Sequence, residues 1–176
     1  MLLDRLFRPR PARAIGQALY QRVVDQSRTP ALYADLGAPD TVEGRFELYS
    51  LHLVLVLERL RGCGEQAAEV SQALFDTYVK SLDDALREMG VGDLSVGKKM
   101  RKLGEALYGR AKSYEAAFQA LPASEPLEAL LVRTVYADAA AADASRLTAY
   151  VLGQRAHLAA QDVDRLLAGD LDWRAA

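Results

Sequence analysis

The side chains with the strongest intrinsic chemistry in this 176-residue chain are a lone cysteine, Cys63, and two histidines, His52 and His157. A thiol nucleophile needs a base within reach, and a helical metal site needs ligands grouped one turn apart. Neither histidine has a Glu or His three or four residues away, and no Glu-x-x-His, His-Glu-x-x-His or Cys-x-x-Cys occurs. Gly92-Asp93-Leu94-Ser95-Val96-Gly97-Lys98 has the spacing of a phosphate loop. Lys99 stands where that loop needs Ser or Thr, and the string follows a helical pattern instead of a strand. There is no Gly-x-Ser-x-Gly elbow. The chain therefore reads as non-enzymatic, with no cofactor and no metal. Cys63, between Gly62 and Gly64, reads as a loop residue, and His52, inside an apolar helix, as a packed residue with one satisfied nitrogen.

Charge gives a local signal. The net charge of −2 favours neither nucleic acid nor membrane overall, and no DNA partner is expected. Lys98, Lys99, Arg101 and Lys102, however, crowd the first turns of one helix. Helix N-termini prefer acids, so each of these cations costs about 0.3–1 kcal/mol at low salt. Lys98 and Lys102 also repel at i, i+4. The cations lie off the apolar stripe of their helix, with Lys112 further along the same side. Two readings stay open: a patch facing an acidic protein segment, phospholipid head groups or RNA, and a solvated face relieved by Asp93 and Glu105 or by the acidic side of the preceding helix.

The elements that position these residues are helical. With 51% hydrophobic and 26% charged residues, the chain can bury a core of its own. Residues 1–13, with Pro9 and Pro11 among arginines, read as a basic tail, and residues 14–176 as a single all-α domain of six or seven helices in an irregular bundle. The one cysteine suits a reducing compartment, no run is long enough to span a membrane, and the start lacks the order of a secretory signal; a cytoplasmic protein, peripheral at the inner face of the membrane, is expected. The pattern predicts helices over 15–26, 30–36, 42–61, 71–89, 95–121, from Ser124, and from about Ser145 to Ala168. Residues 137–144 read as a loop or helix junction, and Trp173 as a pin for the C-terminal tail. Asp40-Thr41-Val42-Glu43 reads as a capping box in which Asp40 accepts from Glu43. In the helix that follows, Val42, Phe46, Tyr49, Leu53, Val56, Leu57 and Leu60 share one face, while Leu48, Leu51 and Leu55 form a second stripe. That stripe is either a second buried side or a docking groove. A lipid or quinone held between helices is a further reading of a helix apolar on two sides. Gly90 falls where a left-handed C-cap belongs, with Val91 as its apolar partner, and Ser95 reads as the next N-cap.

The strings Asp40-Thr41-Val42-Glu43-Gly44-Arg45-Phe46-Glu47, Leu51-His52-Leu53 and Gln72-Ala73-Leu74-Phe75-Asp76 resemble the ubiquinol–cytochrome c chaperone family. So does the stretch Leu86 to Lys98, with Gly90, Val91, Gly92, Asp93 and Gly97, followed by Tyr108-Gly109-Arg110. The resemblance is strong from Ala18 to Leu121, looser to Trp173, and fits a bacterial member. It implies an assembly factor for ubiquinol–cytochrome c reductase with newly made cytochrome b as client. In mitochondrial members a small partner protein and the ribosome are also contacted. On this reading Leu48, Leu51 and Leu55 supply apolar surface for the client, and Lys98, Lys99, Arg101 and Lys102 meet a partner or anionic membrane.

Overall fold

A helix apolar on nearly every side has to be surrounded, and the third helix of this chain is. The computed structural model describes residues 11–137 and 144–175. Its elements are α1 (Pro11–Ser27), α2 (Pro30–Ala34), α3 (Val42–Leu60), α4 (Glu65–Glu88), α5 (Asp93–Gln119), α6 (Glu125–Thr134), α7 (Ser145–Ala160) and α8 (Val163–Leu166). The described residues thus form eight helices and no strand. Helix α3 runs through the middle, and α1, α4, α5 and α7 all pack on it. Leu48, Leu51, Leu53, Leu55, Val56 and Leu60 are each at most 1% exposed. The stripe of Leu48, Leu51 and Leu55 and the Leu53, Val56 and Leu60 part of the other are therefore core, because helices cover α3 on both sides there. In this structure Leu48, Leu51 and Leu55 offer no surface to a partner, which corrects the docking reading of that stripe.

Helix α1 begins at Pro11, inside the segment read as a tail. Proline is tolerated in a first turn, whose N–H groups have no intrahelical partner. The rest of the predicted tail, residues 1–10, lies outside the described residues, as does most of the alanine-rich junction predicted at 137–144. Helix α1 lies along α4 in close approach. A Cβ on Gly16 would come within 2.7 Å of backbone atoms of Ala73 and Leu74.

Two predicted caps differ from the observed ones. Thr41, with its extended backbone, caps α3, and its hydroxyl accepts from the Gly44 amide at 3.0 Å. Asp40 turns outward and pairs with Arg45 at 2.5 Å. Gly92 caps α5, so Ser95 lies inside the first turn and its amide donates to the Gly92 carbonyl at 2.8 Å. The C-terminus of α4 closes as the sequence implies. Gly90 has φ +81°, its amide donates to Arg87 O at 2.9 Å, and the Val91 amide donates to Leu86 O at 3.0 Å. This paired pattern satisfies carbonyls that would otherwise lack partners.

The C-terminal segment folds back over the bundle. The indole of Trp173 donates to the Arg22 carbonyl at 3.0 Å and lies edge-on to the His52 ring. The Gln154 side chain both donates to and accepts from the Arg174 backbone, at 2.6 and 3.0 Å. His52 is fully buried, and both of its ring nitrogens are engaged. Its Nδ1 meets Leu48 O at 2.7 Å and its Nε2 meets the Tyr150 hydroxyl at 2.8 Å. Tyr150 in turn accepts from Gln26 at 2.8 Å. Burial pulls the imidazole from 6.5 down to about 4, so it is neutral at physiological pH. A neutral ring that donates from Nδ1 and accepts at Nε2 fits all three bonds. His52 is thus a joint between α3, α7 and α1.

Candidate functional site

The apolar side of α4 outruns the helix that covers it. Helix α1 has 17 residues and α4 has 24, so α4 is longer by roughly 10 Å. Leu74 and Tyr78 are fully buried, but Leu82, Leu86 and Met89, continuing the same stripe, border an open groove of about 400 Å³. Tyr20 and Val24 of α1, Tyr33 of α2, Phe46 and Tyr49 of α3, and Leu103 of α5 line the rest. Val42 and Met89 are 63% and 56% exposed, two of only four large apolar side chains left in solvent among the described residues. Both stand on this groove. A concave, mainly apolar surface with exposed apolar residues at its edge has the character of a binding site.

Its polar groups are largely engaged with each other. The Tyr33 hydroxyl donates to Ser27 O at 2.7 Å, and Tyr49 meets Ser81 at 3.3 Å. The Arg45 guanidinium lies 6.0 Å from the Tyr33 ring centre while paired with Asp40, whose carboxyl is held below its usual range by that hydrogen bond. Glu47, only 7% exposed, sits at the floor and receives two bonds from Arg110, at 2.7 and 2.8 Å. The hydrogen bond to Glu47 raises the affinity of Arg110 for its proton. This forked pair ties α3 to α5 beneath the groove. With these charges paired, the walls present mainly aromatic faces and aliphatic chains, with Arg28 and Glu43 as further charged lining residues, which suits a mainly apolar occupant.

The signature residues fall into three groups. Asp40, Thr41, Gly44, Arg45 and Phe46 build the start of α3 and one wall of the groove. Gly44 is needed for close approach, since a Cβ there would collide with the Pro39 carbonyl oxygen. Gly90, Val91, Gly92 and Asp93 make the turn between α4 and α5, with Asp93 paired to Arg87. Gly97, Tyr108 and Gly109 lie on exposed parts of α5, where nothing approaches either glycine within 4 Å. Tyr108 is 64% exposed, with the Lys112 ammonium 4.7 Å from its ring centre. Nothing in the fold accounts for these two glycines.

Lys98, Lys99, Arg101 and Lys102 are all exposed. Glu105 reaches Arg101 only at 3.9 Å, and Asp93 is held by Arg87. Two acids of α4 are engaged within their own helix, Asp84 with Lys80 at 2.5 Å and Asp83 with Arg87 at 2.7 Å. They do not neutralise the α5 cations. Among the described residues no carboxylate lies within 4 Å of Lys98, Lys99 or Lys102. Leu48, Leu51 and Leu55 are not part of this region. Leu48, Leu51 and Leu55, the apolar residues singled out from the sequence, lie in the core, and Leu82, Leu86 and Met89 line the groove. The available signal was the length of the α4 stripe against the shorter α1.

Elsewhere the surface is less promising. A smaller cleft of about 170 Å³ beside Val54 and Phe118 is crossed by Arg155, which forks onto Glu58 at 2.7–3.0 Å. The Cys63 thiol donates to Arg59 O at 3.4 Å and has no histidine partner. Among the described residues no group of three His, Cys, Asp or Glu could hold a metal, and no helix is long and apolar enough to cross a membrane.

Comparison with known proteins bears on what this surface serves. The model of the family described as "Ubiquinol-cytochrome C chaperone" matches residues 34–173. The crystal structure of the Cbp3 homolog from Brucella abortus superposes with a TM-score of 0.86 at 35% identity, over 99% of this chain and 97% of that one. No curated protein matches the chain.

Proposed function

Because the chain belongs to the ubiquinol–cytochrome C chaperone family, we propose that it is a non-catalytic assembly factor for ubiquinol–cytochrome c reductase whose client is newly made cytochrome b. Family membership over residues 34–173 is the observation that carries this reading. The groove supports it. A subunit destined for the bilayer exposes apolar helices before insertion, and these are costly in water. The groove edge of Val42, Phe46, Leu82, Leu86 and Met89 offers such a segment an apolar seat. Family membership favours a polypeptide occupant there over a lipid or quinone.

In this reading the chain from the start of α1 onward acts as the chaperone domain and residues 1–10 as a basic tail. The protein works on the cytoplasmic side of the membrane, in peripheral contact with it, and the exposed part of α5 around Tyr108 and Gly109 is free for a small co-chaperone or the ribosome. Deleting the gene in its native host tests the function. Difference spectra of reduced and oxidised membranes are expected to show loss of the complex's b-type haem absorbance. Unchanged cytochrome b in the deletion strain would refute the assignment.

A further inference from the structure

The turn between α4 and α5 is thinly covered. From Asp84 to Lys99 only Leu86 and Val96 are buried. A Cβ on Gly90, Gly92, Gly97 or Gly104 would meet nothing within 4 Å. At this end stand Met89, 56% exposed, and Leu94, fully exposed at 103%. A leucine that touches nothing gains nothing from the fold and leaves its full apolar surface in water. The cations sit just behind it. Lys98 and Lys99 are one turn beyond Leu94, about 6–8 Å along the helix, and Arg101 and Lys102 are one turn further. Four bases face two acids between Glu88 and Lys102, and one of those acids, Asp93, is already held by Arg87.

We infer that this helical turn is a membrane-docking tip: Met89 and Leu94 enter the interface of an anionic bilayer, and Lys98, Lys99, Arg101 and Lys102 bind the lipid phosphates above them. The spacing matches the requirement. Interfacial segments bury their apolar residues some 5–10 Å into the boundary between head groups and chains, with cations level with the head groups. The arrangement also explains why cations occupy a helix start that electrostatics alone would fill with acids. RNA would account for the lysines but not for a fully exposed leucine at the tip, and an acidic protein would need an apolar seat for it beside its acids. The inference rests on the reading that the chain works at the membrane surface. It adds a consequence: the groove, which includes Met89, is held at the bilayer where an apolar client enters.

The test is co-sedimentation of the purified full-length chain with vesicles. Equal parts phosphatidylglycerol and phosphatidylcholine should pull the protein down at low salt, and phosphatidylcholine alone should not. The combined variant Lys98→Glu, Lys99→Glu, Arg101→Glu, Lys102→Glu should lose binding by about tenfold or more. Leu94→Ser should weaken it several-fold, in a manner that salt does not reproduce. All five positions are exposed, so both variants should keep the wild-type helical circular dichroism. No sedimentation of the wild type with anionic vesicles would overturn the inference, as would unchanged binding by either variant. Salt-sensitive sedimentation with ribosomes in place of vesicles would overturn it in favour of RNA. The vesicle assay contains no client, so its failure would leave the chaperone reading standing, and that reading fails separately in the deletion strain.

Discussion

Gly44→Ala is expected to destabilise the protein by about 3 kcal/mol, lowering its melting temperature by roughly 6–12 °C. The added methyl would overlap the Pro39 carbonyl oxygen and stand 3.1 Å from its carbon. Backbone cannot swing aside as a side chain can, so the first turn of α3 must move. That movement also pulls the Gly44 amide away from the Thr41 hydroxyl, removing the cap. Alanine's better helix propensity returns only about 1 kcal/mol. Gly104→Ala, in the open middle of α5 with nothing within 4 Å, isolates that propensity and should stabilise by about 1 kcal/mol. Thermal unfolding of the two variants side by side checks the claim. Equal effects would show that the Pro39 contact is not what requires glycine.

The second large effect is expected at the forked pair under the groove. Arg110→Ala should cost about 3–5 kcal/mol, because it strands a carboxylate that is only 7% exposed. Glu47→Ala should cost less, about 2–3 kcal/mol, because the Arg110 side chain is 30% exposed and can recover water. The double variant should lie close to Glu47→Ala alone, since most of the cost is the unpaired charge and not the lost attraction. Arg110→Lys should not restore stability, because an ammonium cannot make both bonds at once. Urea unfolding of the four variants reads this directly. If Glu47→Ala proved the more damaging of the two single variants, the carboxylate would not be the dominant buried charge.

Helical periodicity carried much of the architecture. The four-three spacing from Val96 to Leu121 put Val96, Leu107, Tyr114 and Phe118 on one face, and all four are buried in α5. Gly90 announced the end of α4 because left-handed backbone there suits only glycine. Helix starts were less legible. Helix α4 begins at Glu65, six residues before the pattern suggests, because only Ala67 and Val70 in its first turn and a half face inward. Helix α5 begins two residues early, because Gly92 caps through its extended backbone and displaces Ser95.

The site was legible in its charges and hidden in its shape. Lys98, Lys99, Arg101 and Lys102 were identifiable as an anomaly from helix electrostatics alone, and they do lie exposed. The groove was not, because Leu82, Leu86 and Met89 repeat at the same spacing as the buried Leu74 and Tyr78. Whether a stripe is core or groove depends on where the neighbouring helix stops, which is a tertiary fact. The same reason misplaced Leu48, Leu51 and Leu55. A helix apolar on two sides can be half open or fully enclosed, and with α7 packed on α3 the side of Leu48, Leu51 and Leu55 is enclosed.

If the groove holds newly made cytochrome b, contact between the two is the most direct measure of it. A photo-reactive amino acid at Met89, on the groove edge, should capture newly synthesised cytochrome b in living cells. The same probe at Ala159, exposed on α7 and away from the groove, should not. Capture from Met89 alone is the predicted result. Equal capture from both positions, or capture from Ala159 only, would contradict the account.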